Sequence, residues 1–191
     1  MAALDKLLAA APRDRLLRGD QGMTHLWLGT LLGQQKDFSG ARTEIAAALD
    51  ILKPLVSEDP TNPDWSSYLS AAHYEFGDLL LTQQDFAGAA DEFAASQQLR
   101  QDLSNRQPQS TLYRSALFYA DFRLGLARHE QGDLAAALAA FTRAEELATQ
   151  LKEGISAGEV IRLEQALKQT RDEVADHGSA VPPPAGGAKT Q

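Results

Sequence analysis

Small and large apolar residues recur along the chain at a fixed interval of 48 residues. The recurring positions hold a glycine, an aspartate, an alanine and a large apolar residue: Gly29, Gly77 and Gly125; Asp37, Asp85 and Asp133; Ala41, Ala89 and Ala137; and Ile45, Phe93 and Phe141. A fixed period near this length is typical of stacked helix pairs, in which no unit buries its apolar face alone. The pattern therefore predicts an all-α fold, a solenoid of antiparallel helix hairpins.

Turn and cap residues divide each repeat into two helices. The recurring aspartate stands where a helix N-cap is needed, because its carboxylate accepts a hydrogen bond from an otherwise unpaired backbone N–H. Pro60 ends one helix, and Asn62 with Pro63 pairs a cap with a first-turn proline. We predict three hairpins, over about residues 12–59, 60–107 and 108–155. The predicted helices cover residues 12–36, 38–56, 63–83, 86–105, 111–131 and 134–152.

The two ends of the chain differ from the repeats. Residues 1–10 align with residues 49–58 of the first repeat, so residues 1–11 are predicted to be a half-repeat. Either this half-repeat caps the stack or the chain was cut from a longer protein, and we favour the cut. Ser156 and Glu159 form a capping box that opens a charged helix over residues 157–176, a lid on the repeat domain of residues 1–176. Residues 177–191 cannot bury enough apolar surface to order, and we predict a disordered tail.

The spacing also predicts how the two helices of a hairpin meet. The glycine is expected to face the alanine of the second helix, and the large apolar residue to fill the space between one hairpin and the next. This pattern resembles the tetratricopeptide repeat, whose motif is Trp-x-x-Leu-Gly-x-x-Tyr followed by Ala-x-x-x-Phe. The three units read His25-x-x-Leu28-Gly29-x-x-Leu32, His73-x-x-Phe76-Gly77-x-x-Leu80 and Asp121-x-x-Leu124-Gly125-x-x-Arg128.

The repeat length departs from that family. The family period is about 34 residues, so a period of 48 residues requires both helices to be longer by about two turns. In this respect the chain is similar to the long-helix tetratricopeptide arrays of bacterial signalling proteins, which are often attached to kinase, protease or receptor-like domains. The resemblance implies that the solenoid of antiparallel helix hairpins is right-handed and that it is a protein-interaction module.

Composition narrows the class of protein. The 191 residues are 43% hydrophobic but only 7% aromatic, which favours closely packed helices over a sheet. The chain has no cysteine, which excludes disulfides and thiolate sites and is compatible with a reducing compartment. No apolar run reaches the ~18 residues of a membrane span, and Asp5 and Lys6 interrupt the first apolar stretch. We expect a soluble, cytoplasmic protein without membrane contact.

The net charge of −8 is unevenly distributed. Residues 54–99 contain eight acidic residues and no lysine or arginine, so the middle repeat carries the imbalance. Such a potential repels nucleic acid and favours a basic partner. The alternative is a solvated acidic face that only aids solubility.

Little in the sequence indicates catalysis. There is no glycine-rich phosphate loop, no nucleophile elbow and no His-Glu-x-x-His motif. His25 and His73 occupy the same slot of adjacent repeats, but two ligands without a third make a weak metal site, and we interpret both as structural histidines. We therefore predict no enzyme, no cofactor and no metal.

The family resemblance implies candidate binding residues. Carrying its groove positions across by helix phase gives a partner-binding set on the concave face: Leu26, Thr30, Tyr74, Asp78, Tyr119, Phe122, Leu126 and His129. The competing interpretation is that helix-spaced aromatics such as Tyr119 and Phe122 are core. Leu26, Tyr74 and Phe122 replace the lysines that the chaperone-tail-binding members use, so capture of a chaperone tail is not expected.

We predict a protein-interaction scaffold that binds a peptide or helix of a partner protein, a basic one, on the concave face. It would belong to a bacterial signalling or assembly protein. The alternatives are a structural spacer that forms a homo-oligomer, with nothing bound in its groove, and a small-molecule sensor domain.

Overall fold

The computed structural model describes residues 7, 9–11, 13–151 and 153–179. Within these residues the chain forms seven α-helices with defined ends and no β-strand. The helices are α1 (Arg15–Gln34), α2 (Phe38–Glu58), α3 (Pro63–Thr82), α4 (Phe86–Arg106), α5 (Thr111–Glu130), α6 (Leu134–Gln150) and α7 (Ala157–Ser179). The fold is an all-α solenoid: α1–α2, α3–α4 and α5–α6 form three antiparallel hairpins, and α7 closes the stack.

The helix ends lie close to the predicted ones, with two differences at the ends of the array. α1 begins at Arg15, three residues later than predicted, and α7 continues to Ser179, three residues beyond its predicted end. Most of the predicted half-repeat (residues 1–6 and 8) and of the predicted tail (residues 180–191) lies outside the described residues. No helix in the described ranges is both long and apolar enough to cross a bilayer.

The predicted aspartate caps are present at all three hairpin turns. Each carboxylate accepts a hydrogen bond, at 2.9 to 3.1 Å, from the backbone N–H three residues further on. The capping residues are Asp37, Asp85 and Asp133. At the loop before α3, Asn62 Oδ1 accepts from the N–H groups of Asp64 and Trp65, and Pro63 opens the helix. These local bonds set the phase of every hairpin.

Packing inside each hairpin differs from the prediction. The residue opposite the helix glycine is the large apolar residue of the second helix, and the alanine is not the main contact. A Cβ added to Gly29 would lie 2.6 Å from Ile45, and one added to Gly77 would lie 2.8 Å from the Phe93 ring. Gly125 has the same relation to Phe141. The glycine therefore makes room for a large side chain of its own hairpin, which lets that side chain enter the core without separating the helices.

α7 covers the open side of the third hairpin. Its buried residues, Leu163, Leu167 and Thr170, lie in or beside a core cluster with Phe118 and Phe141. Its opposite face carries exposed charged residues: Glu164, Lys168, Arg171 and Asp172. A terminal helix that is apolar inside and charged outside is the usual way in which a repeat array ends.

Candidate functional site

The first helices of the hairpins line one side of the stack. α1 contacts α3, α3 contacts α5 and α5 contacts α7, whereas the second helices α2, α4 and α6 do not contact one another. Because neighbouring elements are closer on the side where they touch, the face of α1, α3, α5 and α7 is the inner, concave face of the described array. We call it the inner face.

A cavity of about 290 Å³ opens on the inner face where α3, α5 and α7 meet. We call it the inner pocket. It is lined by Tyr74 of α3, by Tyr119, Phe122, Arg123 and Leu126 of α5, and by Glu159, Arg162, Gln165, Ala166 and Gln169 of α7. Its lining combines two tyrosines, a phenylalanine, a leucine and an alanine with guanidinium, carboxylate and amide groups.

A hydrogen-bond chain ties the start of α7 to α5 at the edge of this pocket. The Tyr119 hydroxyl donates to Glu159 Oε2 at 2.5 Å, and the Ser156 hydroxyl donates to the same oxygen at 3.1 Å. Ser156 Oγ accepts from the Glu159 N–H at 3.3 Å, which is half of the predicted capping box. Burial together with the neighbouring carboxylate raises the pKa of Tyr119 to about 12, so the phenol stays a donor at neutral pH.

Arg123 forms the wall of the pocket on the α3 side. Its Nε donates to the Tyr74 hydroxyl oxygen at 3.3 Å and lies 3.3 Å from Asp78 Oδ1. Burial raises the pKa of Asp78, and the nearby guanidinium of Arg123 opposes that effect. An ion pair between two hairpins thus neutralises part of the acidic excess of residues 54–99.

The aromatic face of Tyr74 is already covered by a cation from the same chain. The Arg100 guanidinium carbon lies 4.5 Å from the Tyr74 ring centroid, and Arg100 Nη1 donates to the Ala116 carbonyl at 2.7 Å. Arg100 is only 9% exposed, and burial lowers its pKa to about 10. Two residues of the predicted binding set, Tyr74 and Asp78, are thus already paired with cations of this chain, Arg100 and Arg123, and are not free to bind a cation of a basic partner.

A second cavity, of about 230 Å³, lies between the first two hairpins. Thr30, Glu75, Asp78 and Leu79 are among its lining residues. The Thr30 hydroxyl donates to Glu75 Oε2 at 3.3 Å, and burial raises the pKa of Glu75. The Asp78–Arg123 pair stands between this cavity and the inner pocket.

The structure thus divides the predicted binding set. Tyr74, Tyr119, Phe122 and Leu126 line the inner pocket, whereas Thr30 and Asp78 line the second cavity. Leu26 is 3% exposed and Phe122 is 7% exposed, so both are core residues, and Leu26 cannot offer exposed apolar ground. His129 lies farther along α5, with its Nε2 2.9 Å from Glu173 Oε2 of α7.

Sequence reasoning missed the polar residues of the inner pocket, chiefly Arg123, Glu159 and Arg162. The repeat period could have drawn attention to Arg123, because it lies 48 residues after Glu75. In the structure both side chains bond to a side chain of the preceding hairpin. Glu159 and Arg162 belong to α7, which lies outside the three-unit repeat. No periodicity pointed to them.

Each hairpin also holds a charged or polar pair at one repeated position. His25 Nδ1 lies 2.7 Å from Glu44 Oε2, and His73 Nδ1 lies 2.5 Å from Glu92 Oε2. The third hairpin has Asp121 at this position. Each histidine is thus bonded within its own hairpin, and no group of three or more metal-ligating side chains gathers within the described ranges.

In the third hairpin the pair is an aspartate and an arginine. Asp121 Oδ1 accepts from Arg143 Nε at 2.8 Å, while Oδ2 has no hydrogen-bond partner among the described residues. Burial raises the pKa of Asp121 to about 6. Both side chains line a polar cavity of about 570 Å³ between α4, α5 and α6.

The fold is that of a tetratricopeptide-repeat-like helical array. No protein-family model matches the sequence, and no curated protein matches it significantly. Among solved structures, the chain is similar to the N-terminal domain of stress-induced protein-1 (STI-1) from C. elegans, with 17% identity and a TM-score of 0.50 over 78% of this chain and 96% of that one. The Sgt2 TPR domain from Aspergillus fumigatus also aligns, with 20% identity and a TM-score of 0.43 over 89% of each chain. At such identity, the likeness to the first structure shows the fold alone.

Proposed function

We propose that this protein is an interaction scaffold without enzymatic activity, and that its inner pocket holds an apolar side chain of a partner peptide or helix. The observation that carries the proposal is the pocket itself, because it is a concave site in which apolar and aromatic side chains can hold an apolar group and the charged and amide groups beside them can orient it. Leu126 and Tyr119 are only partly buried, so they remain available to a ligand.

The charges of the site bear on the sequence of the partner. Since Arg100 and Arg123 neutralise the acidic groups beside Tyr74, a partner gains most of its affinity from an apolar anchor in the pocket. The net charge of −8 still attracts a basic chain at long range and speeds its encounter. The proposed partner is therefore a peptide or helix in which an apolar side chain is flanked by basic residues. We further propose, on the family resemblance alone, a role in a bacterial cytoplasmic signalling or assembly protein.

The proposal is tested by selecting peptides from a random display library on the intact protein and measuring their affinity by calorimetry. Leu126→Gln replaces an apolar lining residue of the pocket with an amide and should weaken binding by about tenfold or more, equivalent to 1.4 kcal/mol. Ile161→Gln is the matched control, because Ile161 is exposed on α7 and does not line the pocket.

A circular-dichroism melt of each variant shows that the fold is retained. Selected peptides that bind Leu126→Gln and the unsubstituted protein equally well would assign binding to another surface. Selected peptides that have no apolar residue in common would contradict the proposed apolar anchor.

A small-molecule sensor is the second candidate function, and the cavity around Asp121 is the observation that favours it. Arg143, whose Nε is held by the buried Asp121 carboxylate, is partly exposed in this polar cavity and offers its other guanidinium N–H groups to a small ligand with a hydrogen-bond acceptor. A library of small polar compounds tested by thermal shift would show a ligand that stabilises the protein but not Arg143→Met.

A further inference from the structure

α1 exposes large apolar side chains on the side that faces away from the second hairpin. Trp27 is 67% exposed and Leu31 is 50% exposed, and because they are one turn apart they share a face of the helix. No aspartate, glutamate, lysine or arginine occurs from Gln21 to Gln35, a span of about 20 Å along the helix axis. We call Trp27, Leu31 and the exposed or partly exposed residues of this span the α1 patch.

The internal repeat shows what this face does elsewhere in the array. Leu31 corresponds to Leu79 and Ala127, which are 7% and 0% exposed because the preceding hairpin covers them. Trp27 corresponds to Glu75 and Arg123, which bond to side chains of the preceding hairpin. The α1 patch is therefore a stacking surface of the solenoid whose covering layer is another helix.

The other end of the described array has a charged outer face. α7 covers the third hairpin and turns a charged face outward, with Glu164, Lys168 and Arg171 exposed. Terminal repeats usually need such a polar outer face to stay in solution. The charged face of α7 is a poor match for the apolar α1 patch, which disfavours a head-to-tail filament.

We propose that the α1 patch binds the α1 patch of a second copy of this chain, in an antiparallel pair with two-fold symmetry. A two-fold interface must be complementary to itself, and an uncharged apolar surface meets that condition without like-charge repulsion. Antiparallel pairing about the middle of the uncharged span brings each Trp27 beside Trp27 and Leu31 of the second copy.

The charges at the two ends of the patch support this arrangement. Asp20 stands immediately before the uncharged span and Lys36 immediately after it, each eight residues from Leu28. Both side chains are exposed. In an antiparallel pair centred near Leu28, each Asp20 comes near the turn of the second copy that carries Lys36, just beyond the end of α1, and two ion pairs can form beside the apolar centre. A parallel pair would place like charges together.

The proposal is independent of the proposed function, since the patch and the inner pocket share no residue. It is tested on the full chain by sedimentation velocity over a concentration series. We expect the mass to rise toward that of a dimer with concentration. Trp27→Lys should weaken the dimer by at least about tenfold, because tryptophans at the centre of an interface carry much of its energy. The control Leu112→Lys changes an equally exposed leucine on α5 and should leave the dimer intact.

A charge swap tests the antiparallel register. Asp20→Lys alone should weaken the dimer, and the double substitution Asp20→Lys with Lys36→Asp should restore it. Lys36 has a left-handed backbone, with φ of 65°, which aspartate tolerates well. Failure of the double substitution to restore the dimer would overturn the register.

Tryptophan fluorescence gives a second readout on the same samples. Trp27 and Trp65 are the two tryptophans, and Trp65 is buried, so Trp65→Phe leaves Trp27 as the reporter. Acrylamide should quench Trp27 less as the dimer forms. A monomer at every concentration would overturn the proposal. If Trp27 of that monomer became protected only when a peptide selected on the inner pocket was added, the patch would belong to that partner instead.

Discussion

The ring of Phe93 lies directly over Gly77, so close that a Cβ on Gly77 would be 2.8 Å from two ring carbons. Side-chain carbons essentially never approach that closely, so α3 and α4 keep their spacing only if residue 77 has no side chain. Phe93 is fully buried and also forms an edge contact with Tyr74, whose ring centroid is 5.6 Å away. The position of one pocket residue thus depends on a glycine in the core.

Gly77→Ala should lower the free energy of unfolding by about 1 to 3 kcal/mol, because the methyl group must displace the Phe93 ring in a packed core. Gly77→Leu should cost about 3 kcal/mol or more for the same reason. Urea denaturation measures both. Adding Phe93→Leu should recover part of the loss in Gly77→Ala, and an alanine variant as stable as the unsubstituted protein would contradict this packing.

Gly33 provides the matched contrast within α1. A Cβ at this position would meet only the Ala41 methyl at 3.8 Å, an ordinary contact distance. Gly33→Ala should therefore stabilise the protein by up to about 1 kcal/mol, since alanine favours helix more than glycine does. A lower midpoint of urea unfolding for Gly33→Ala would show that the turn into α2 needs the glycine.

The contrast between these two glycines shows how far the sequence could predict the fold. Helix starts and turns could be predicted because their signals are local, as with the capping aspartate at Asp85 or the proline at Pro63. The side chain that packs against Gly77 could not be predicted. Periodicity shows which residues share a face, but the side chain that fills a notch depends on the rotation of one helix against the other.

The candidate site could also be predicted only in part. Helix phase brought Tyr74, Tyr119 and Leu126 to one face, and the structure places them around one pocket. Phase could not show that Arg100, the first basic residue after the acidic stretch, extends over Tyr74 from the neighbouring helix. Long flexible side chains reach across helices, and their targets are set by tertiary contacts.

Asp121 should make stability depend on pH in a direction opposite to that of most carboxylates. Its pKa is raised to about 6 in the folded protein, from an ordinary value of 3.8, because the group is buried. The folded state then binds the proton more tightly than the unfolded state, so this group's contribution becomes more favourable as pH falls from about 6 to 4. The linked change is roughly 1 to 3 kcal/mol.

The contribution is isolated by comparing the unsubstituted protein with Asp121→Asn, because every other titrating group is common to both. The difference between their free energies of unfolding should change between about pH 4 and pH 6 and level off above that range. A difference that is constant across this range would show that Asp121 keeps an ordinary pKa in the folded protein.

Removing packing from α7 should destabilise the third hairpin. Leu167 is 1% exposed within the core cluster of Phe118, Phe122 and Phe141. Leu167→Ala should cost about 2 to 5 kcal/mol, as buried leucine truncations do. Ile161→Ala, on the exposed side of the same helix, should change stability by less than about 0.5 kcal/mol. Equal effects at both positions, measured by thermal melting, would contradict the lid assignment.

The Asp78–Arg123 pair allows the stacking of hairpins to be separated from partner binding. The two side chains are about one-third exposed and 3.3 Å apart, so their coupling should be modest, about 0.2 to 1 kcal/mol. Asp78→Lys is a poor probe of binding, because it would set a third cation beside Arg100 and Arg123 and weaken the stack itself. Asp78→Asn keeps the shape of the side chain and removes only the charge.

A double-mutant cycle of Asp78→Asn and Arg123→Met gives the coupling energy directly, with urea unfolding as the measurement. We expect the pair to contribute to stability at low salt and less as salt screens it. Peptide affinity at the inner pocket should respond to Arg123→Met, because Arg123 lines that pocket, and much less to Asp78→Asn, because Asp78 faces the second cavity. Equal losses of affinity in the two variants would mean that the ligand spans both cavities across the Asp78–Arg123 pair.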